Sequence, residues 1–107
     1  HGGRQLDSSI STLQALQKIT AQCLPDLNFE IYLDGGIRNG TDIFKALALG
    51  AKAVLIGRPA IYGLAVGGEQ GVYEILSILK DELSQCMLLT GCENLKSITK
   101  EMLVDLG

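Results

Sequence analysis

Two short apolar stretches, FEIYL (29–33) and KAVLI (52–56), each stop at a glycine loop that carries an arginine. The first runs into DGGIRNG and the second into GRP, and one helix-length segment, GTDIFKALALG, lies between them. Antiparallel neighbours can be joined by a two-residue turn, whereas parallel neighbours need a crossover of a dozen residues or more. The connection here is of the second kind, so the two stretches are expected to pair in parallel. FEIYL alternates and is rich in strand formers. KAVLI is apolar throughout, which suits a strand buried on both faces.

The flanking segments read as helices. In SSISTLQALQKITAQC (8–23), Ile10, Leu13, Leu16 and Ile19 recur at helical spacing, with Ser8 or Ser9 as the cap. In GTDIFKALALG, Thr41 or Asp42 is the expected cap, Lys45 faces water, and Gly50 stands where a helix end wants a residue free to take positive φ. AIYGLAVGG is a short, glycine-interrupted segment. EQGVYEILSILKDELSQCMLLTG follows as a long amphipathic helix, with Val72, Ile75, Leu76, Leu79, Leu83 and Met87 on its apolar face and Gly91 at its end. ENLKSITKEML adds a last turn or two. The order is helix, strand, helix, strand, helix, an α/β pattern. Two parallel strands alone leave both sheet edges open. The 107 residues are therefore expected to be one piece of a larger α/β domain, most of which precedes residue 1.

Composition narrows the function classes. A net charge of −3 gives no electrostatic footprint for nucleic acid. The apolar runs are too short to cross a bilayer, and no charged-then-apolar leader precedes the first motif. Cys23, Cys86 and Cys92 are odd in number and lack C-x-x-C spacing, which argues against a disulfide framework or a zinc site and for a reducing, intracellular compartment.

In parallel α/β folds, functional groups collect beyond the carboxyl ends of the strands. Glycines there allow close backbone approach, successive N–H groups and the helix start near Thr41 favour an anion, and Arg38 and Arg58 supply forked hydrogen bonds suited to phosphate. One glycine–arginine pair reads as a turn with surface charge. Two, one helix apart, read as the phosphate site made by the last two loops of a TIM barrel. The opening loop HGGRQLD holds the chain's one histidine. It would face the same mouth, with His1 able to take a proton and Arg4 able to hold a carboxylate, although a terminal histidine is also what a bare chain end looks like. Asp7 reads as a helix cap. Asp34 is placed either to hold a cofactor hydroxyl or to fix its loop.

The combination HGGRQLD, DGGIRNGTDIFKALALGAKAVLIGRP, GLAVGGEQGV and GC resembles the C-terminal third of the FMN-dependent α-hydroxy-acid oxidases and dehydrogenases, with glycolate and lactate oxidases closest in pattern. The resemblance implies the last two βα units of a (β/α)8 barrel, with residues 1–107 as a C-terminal fragment of one barrel domain. It implies FMN as cofactor, a small L-2-hydroxy acid as substrate, and oxygen as the acceptor giving hydrogen peroxide. His1 would be the catalytic base and Arg4 the substrate-carboxylate ligand. Asp34, Gly35, Gly36, Ile37 and Arg38, with Gly57 and Arg58, would bind FMN. The partners implied are the rest of the barrel and, in the full protein, a homo-tetramer, with no nucleic acid and no membrane, in peroxisome or cytoplasm. The isolated fragment is expected to be inactive. Another FMN- or phosphate-binding barrel and a non-catalytic structural fragment remain as alternative readings.

Overall fold

The computed structural model describes residues 2–23 and 28–104. The elements are α1 (Gly2–Gln5), α2 (Thr12–Cys23), β1 (Tyr32–Leu33), α3 (Gly40–Ala48), β2 (Ala53–Val54) and α4 (Arg58–Thr90), followed by two 3-10 turns, Leu95–Ser97 and Lys100–Met102. The strands pair in parallel, as the crossover length requires, with Tyr32 beside Ala53 and Leu33 beside Val54. The Lys52 N–H donates to the Ile31 carbonyl (2.7 Å) and the Leu55 N–H to the Leu33 carbonyl (2.8 Å), which carries the pairing past the two-residue ladder. Of the expected five-residue strands, only that short stretch has a neighbour.

Helix starts follow local hydrogen-bond chemistry, and not always at the expected residue. Ser11, rather than Ser8 or Ser9, starts α2: its Oγ accepts from the Gln14 N–H and Gln14 Oε1 accepts from the Ser11 N–H, both at 3.2 Å. Asp7 lies in the exposed turn upstream and is not the cap. Asn39, rather than Thr41 or Asp42, caps α3, and Asp42 completes the reciprocal box from position N3. The opening loop also holds a helical turn, α1, where none was expected. Helix ends match the glycine reading. Gly50 has φ +101 and Gly91 has φ +73, a region other residues enter at a cost.

Two clusters form the interior. Leu16, Leu33, Ile37, Ala46, Leu49 and Ala51 join α2, β1 and α3. Phe44, Ala48, Cys92 and Ile98 join α3 to the segment after α4, with Leu83, Cys86 and Met87 packed against them. Cys86 and Cys92 are free thiols, and the Cys23 side chain lies outside the described residues. Of the α2 stripe, Leu13 and Leu16 pack while Ile10 and Ile19 stay exposed. On α4, Leu79 is buried and Leu76 is exposed. α4 bends at Gly67 and Gly68, where φ/ψ leave the helical region. The bend lets its two arms touch at Gly63 and Gly71, where a Cβ on Gly63 would come 2.6 Å from the Gly71 carbonyl. The KAVLI stretch that contains β2 is not buried on both faces by the described residues: Ala53 is exposed and Leu55 is 55% exposed. No helix among the described residues is long and apolar enough to cross a membrane.

Candidate functional site

The parallel register sends both loops off the same, carboxyl end of the strands. The first loop, Asp34 to Arg38, turns at Gly35 (φ +86) and Gly36 (φ +78), both left-handed and both exposed. Its near end is tied to α2, because Thr12 Oγ1 donates to the Gly35 carbonyl at 3.0 Å. Its middle is anchored by Ile37, whose side chain is buried in the first core cluster. Ile37 was expected to line a cofactor; with its side chain turned inward, what it offers a ligand is its backbone N–H. The far end is held by Asp42, whose Oδ2 accepts from the N–H groups of Arg38 (3.0 Å) and Asn39 (3.3 Å).

The start of α3 differs from the sequence expectation. Its positive end was read as an anion seat. Instead the chain's own acceptors occupy it: Glu82 Oε2, from α4, takes the Gly40 N–H at 2.7 Å, and Asn39 Oδ1 takes the Asp42 N–H at 2.9 Å. With two carboxylates at this helix end, a phosphate would meet repulsion there. The start of α4 is different. Gly57 is its cap residue and provides no side-chain hydrogen bond, and Pro59 sits just inside. Added Cβ atoms at Gly36 and Gly57 would meet nothing within 4 Å, so open space adjoins both.

Arg38 and Arg58 are exposed, one on each loop, and Arg4 is exposed on α1. Among the described residues none of the three takes part in an ion pair; the one pair is Lys52 with Glu30, at 3.9 Å on the surface. Asp34 is exposed as well. The structure thus brings Asp34, Gly35, Gly36, Ile37 and Arg38 to the carboxyl end of the strands that also carries Gly57 and Arg58, with Thr12 beside them. His1 lies outside the described residues, and among the described residues Arg4 forms no ion pair with either loop. A cleft of about 230 Å³ opens beside the glycine turn, lined in part by Ser11, Thr12, Leu33, Gly35, Gly36 and Asp42. Thr12, Asp42 and Glu82 were not singled out as site residues. A sequence signal existed only for Asp42, in the Asn39-x-x-Asp42 capping spacing. No group of three or more potential metal ligands occurs among the described residues.

The open glycines, the start of α4 without a side-chain cap, and two arginines free of ion pairs among the described residues are a donor set that fits a phosphate monoester such as that of FMN. Comparison with known proteins identifies the family. The family described as FMN-dependent dehydrogenase matches residues 1–105. An L-lactate oxidase from Nostoc sp. is 54% identical over 103 residues, covering 96% of this chain and 28% of that protein. The human 2-hydroxyacid oxidase 1 is 50% identical over 102 residues, covering 95% and 27%. Among solved structures, a soluble variant of (S)-mandelate dehydrogenase from Pseudomonas putida superposes with a TM-score of 0.84 at 43% identity, over 95% of this chain and 28% of that one. A flavocytochrome b2 variant superposes with a TM-score of 0.86 at 39% identity, over 95% and 27%. The chain spans less than a third of the length of each of these proteins. With nearly all of its residues inside the family match and its fold shared with solved members, the chain belongs to the FMN-dependent α-hydroxy-acid oxidase and dehydrogenase family.

Proposed function

We propose that this chain supplies the last two βα units of a (β/α)8 barrel whose whole protein oxidises a small L-2-hydroxy acid, such as glycolate or lactate, to the 2-oxo acid, with oxygen as acceptor and hydrogen peroxide as second product. The observation that carries the reading is the pair of glycine–arginine loops leaving neighbouring parallel strands at their carboxyl ends. Exposed apolar side chains, among them Leu55, Leu64 and Val66, support a larger barrel that covers them. The relatives named as lactate and 2-hydroxyacid oxidases support the substrate class.

In this reading Gly36, Ile37 and Gly57 offer backbone N–H groups to the FMN phosphate, and Arg38 and Arg58 offset its charge. Asp34 and Gly35 line the chain leading from it. Bound FMN would supply the two-electron acceptor that side chains lack. Arg4 holds the substrate carboxylate through two parallel hydrogen bonds, which fixes the α-carbon. His1 takes a proton from the hydroxy acid, a task suited to a side chain that titrates near neutral pH. The whole enzyme works as a homo-tetramer inside the cell, and a plant relative named as peroxisomal supports that compartment type. The 107 residues alone are inactive, because a quarter of a barrel encloses no flavin.

The test is a peroxide assay on the full-length protein reconstituted with FMN, offered glycolate, L-lactate and longer 2-hydroxy acids. Turnover with peroxide formed in step with the 2-oxo acid is expected. Reduction of an artificial acceptor without peroxide would make it a dehydrogenase, and no turnover of any 2-hydroxy acid would end the reading.

A further inference from the structure

The glycine turn contains one peptide with little restraint of its own. Gly35 and Gly36 both sit in the left-handed region, and neither has a side chain to fix the plane between them. That peptide is trans and planar, so its carbonyl and its N–H point in opposite directions. Thr12 Oγ1 holds the Gly35 carbonyl on the α2 side at 3.0 Å. The Gly36 N–H must therefore face away from α2. Along the rest of the loop, Asp42 takes the Arg38 and Asn39 N–H groups and Glu82 takes the Gly40 N–H. Among the described residues, the N–H groups of Gly36 and Ile37 have no acceptor.

We propose that Thr12 is a positioning residue for the phosphate end of the cofactor: its hydroxyl sets the 35–36 peptide so that the Gly36 N–H is presented to the anion. The inference rests on the phosphate-seat reading above and adds a residue that acts through the Gly35 carbonyl. It also couples the start of α2, which follows the His1–Arg4 segment, to the flavin loop through a single hydrogen bond.

The test compares FMN with riboflavin, which lacks the phosphate, as ligands of the full-length apoprotein, followed by flavin fluorescence. Thr12→Val keeps the shape and removes the donor; Thr12→Ser keeps the donor. In the parent protein FMN should bind more tightly than riboflavin. Thr12→Val should weaken FMN about fivefold, the worth of one neutral hydrogen bond, and leave riboflavin unchanged. Thr12→Ser should retain the parent's preference. Equal losses for both flavins, or no loss for either, would overturn the role given to Thr12. A parent protein that binds riboflavin as tightly as FMN would overturn the phosphate seat itself, a distinguishable failure. Thr12→Ala, which cannot crowd Gly35, carries the same expectation if the valine variant does not fold.

Discussion

Replacing Gly40 by alanine should destabilise the protein more than its single added methyl suggests. Gly40 opens α3 at a close approach to α4. A Cβ there would lie 2.5 Å from the Cβ of Glu82 and closer still to the backbone of Glu82 and Leu83. Ordinary carbon contacts need about 3.5 Å, so one helix must move by roughly 1 Å. The obstructing atoms are helix backbone and cannot rotate away. Overpacking of this kind costs about 1–3 kcal/mol. The shift also lengthens the 2.7 Å bond from the Gly40 N–H to Glu82, a bond to a charged group worth about 1.5–3 kcal/mol. The helix-propensity gain of alanine returns less than about 1 kcal/mol at this first position. The net loss is about 3 kcal/mol, or roughly 5–10 °C in Tm for a large domain. Thermal unfolding of the full-length protein by circular dichroism reads it. Gly67→Ala is the control: nothing lies within 4 Å of its added Cβ, and its φ is negative. A Gly40→Ala protein melting within about 1 °C of the parent would refute the argument that α3 and α4 are in rigid contact here. A double-mutant cycle with Glu82→Ala should show strong non-additivity, because both changes remove the same contact.

Other expectations are briefer. Arg38→Ala and Arg58→Ala should each weaken FMN at least tenfold while sparing riboflavin, measured by flavin fluorescence at matched salt. His1→Gln should lower kcat about 10²–10⁴-fold with FMN still bound, whereas Arg4→Ala should mainly raise KM for the hydroxy acid; steady-state kinetics on the full-length enzyme separates them. Asn39→Ala should cost about 1 kcal/mol in urea unfolding, since the Asn39 side chain accepts from the Asp42 N–H at the start of α3. The Tyr32 phenol is held above its usual pKa by its hydrogen bond to the Glu30 carboxylate. The folded state therefore keeps that proton to higher pH than the unfolded chain. The stabilising contribution is present below the unfolded value of about 10 and fades as pH rises through the folded one. Ultraviolet titration should show Glu30→Gln lowering the phenol pKa.

Much of the architecture is written in local pattern. The crossover between FEIYL and KAVLI requires parallel pairing, and Gly50 and Gly91 mark helix ends because only glycine enters the left-handed region without cost. The glycine–arginine loops name the candidate site for the same local reason. The helix starts were less legible. Asn39, Thr41 and Asp42 can all cap, and the choice depended on which carboxylate reaches back; the Asn39-x-x-Asp42 and Ser11-x-x-Gln14 spacings carried that information.

What only the tertiary structure decided is which donors remain free. The helix start near Thr41 suggested an anion at the start of α3, but Glu82, forty-two residues away in sequence, already accepts from that helix end. Thr12 holds a carbonyl twenty-three residues distant, and the Ile37 side chain is buried in the core. Chain sequence sets conformational preferences through short-range sterics and hydrogen bonding. The pairing of a side chain with a distant backbone group depends on how helices and strands pack, and no local pattern encodes it. The sequence by itself therefore determined the parallel α/β frame and its two glycine–arginine loops; packing decided that, among the described residues, the Gly36 and Ile37 amides are without an acceptor and the start of α4 has no side-chain cap.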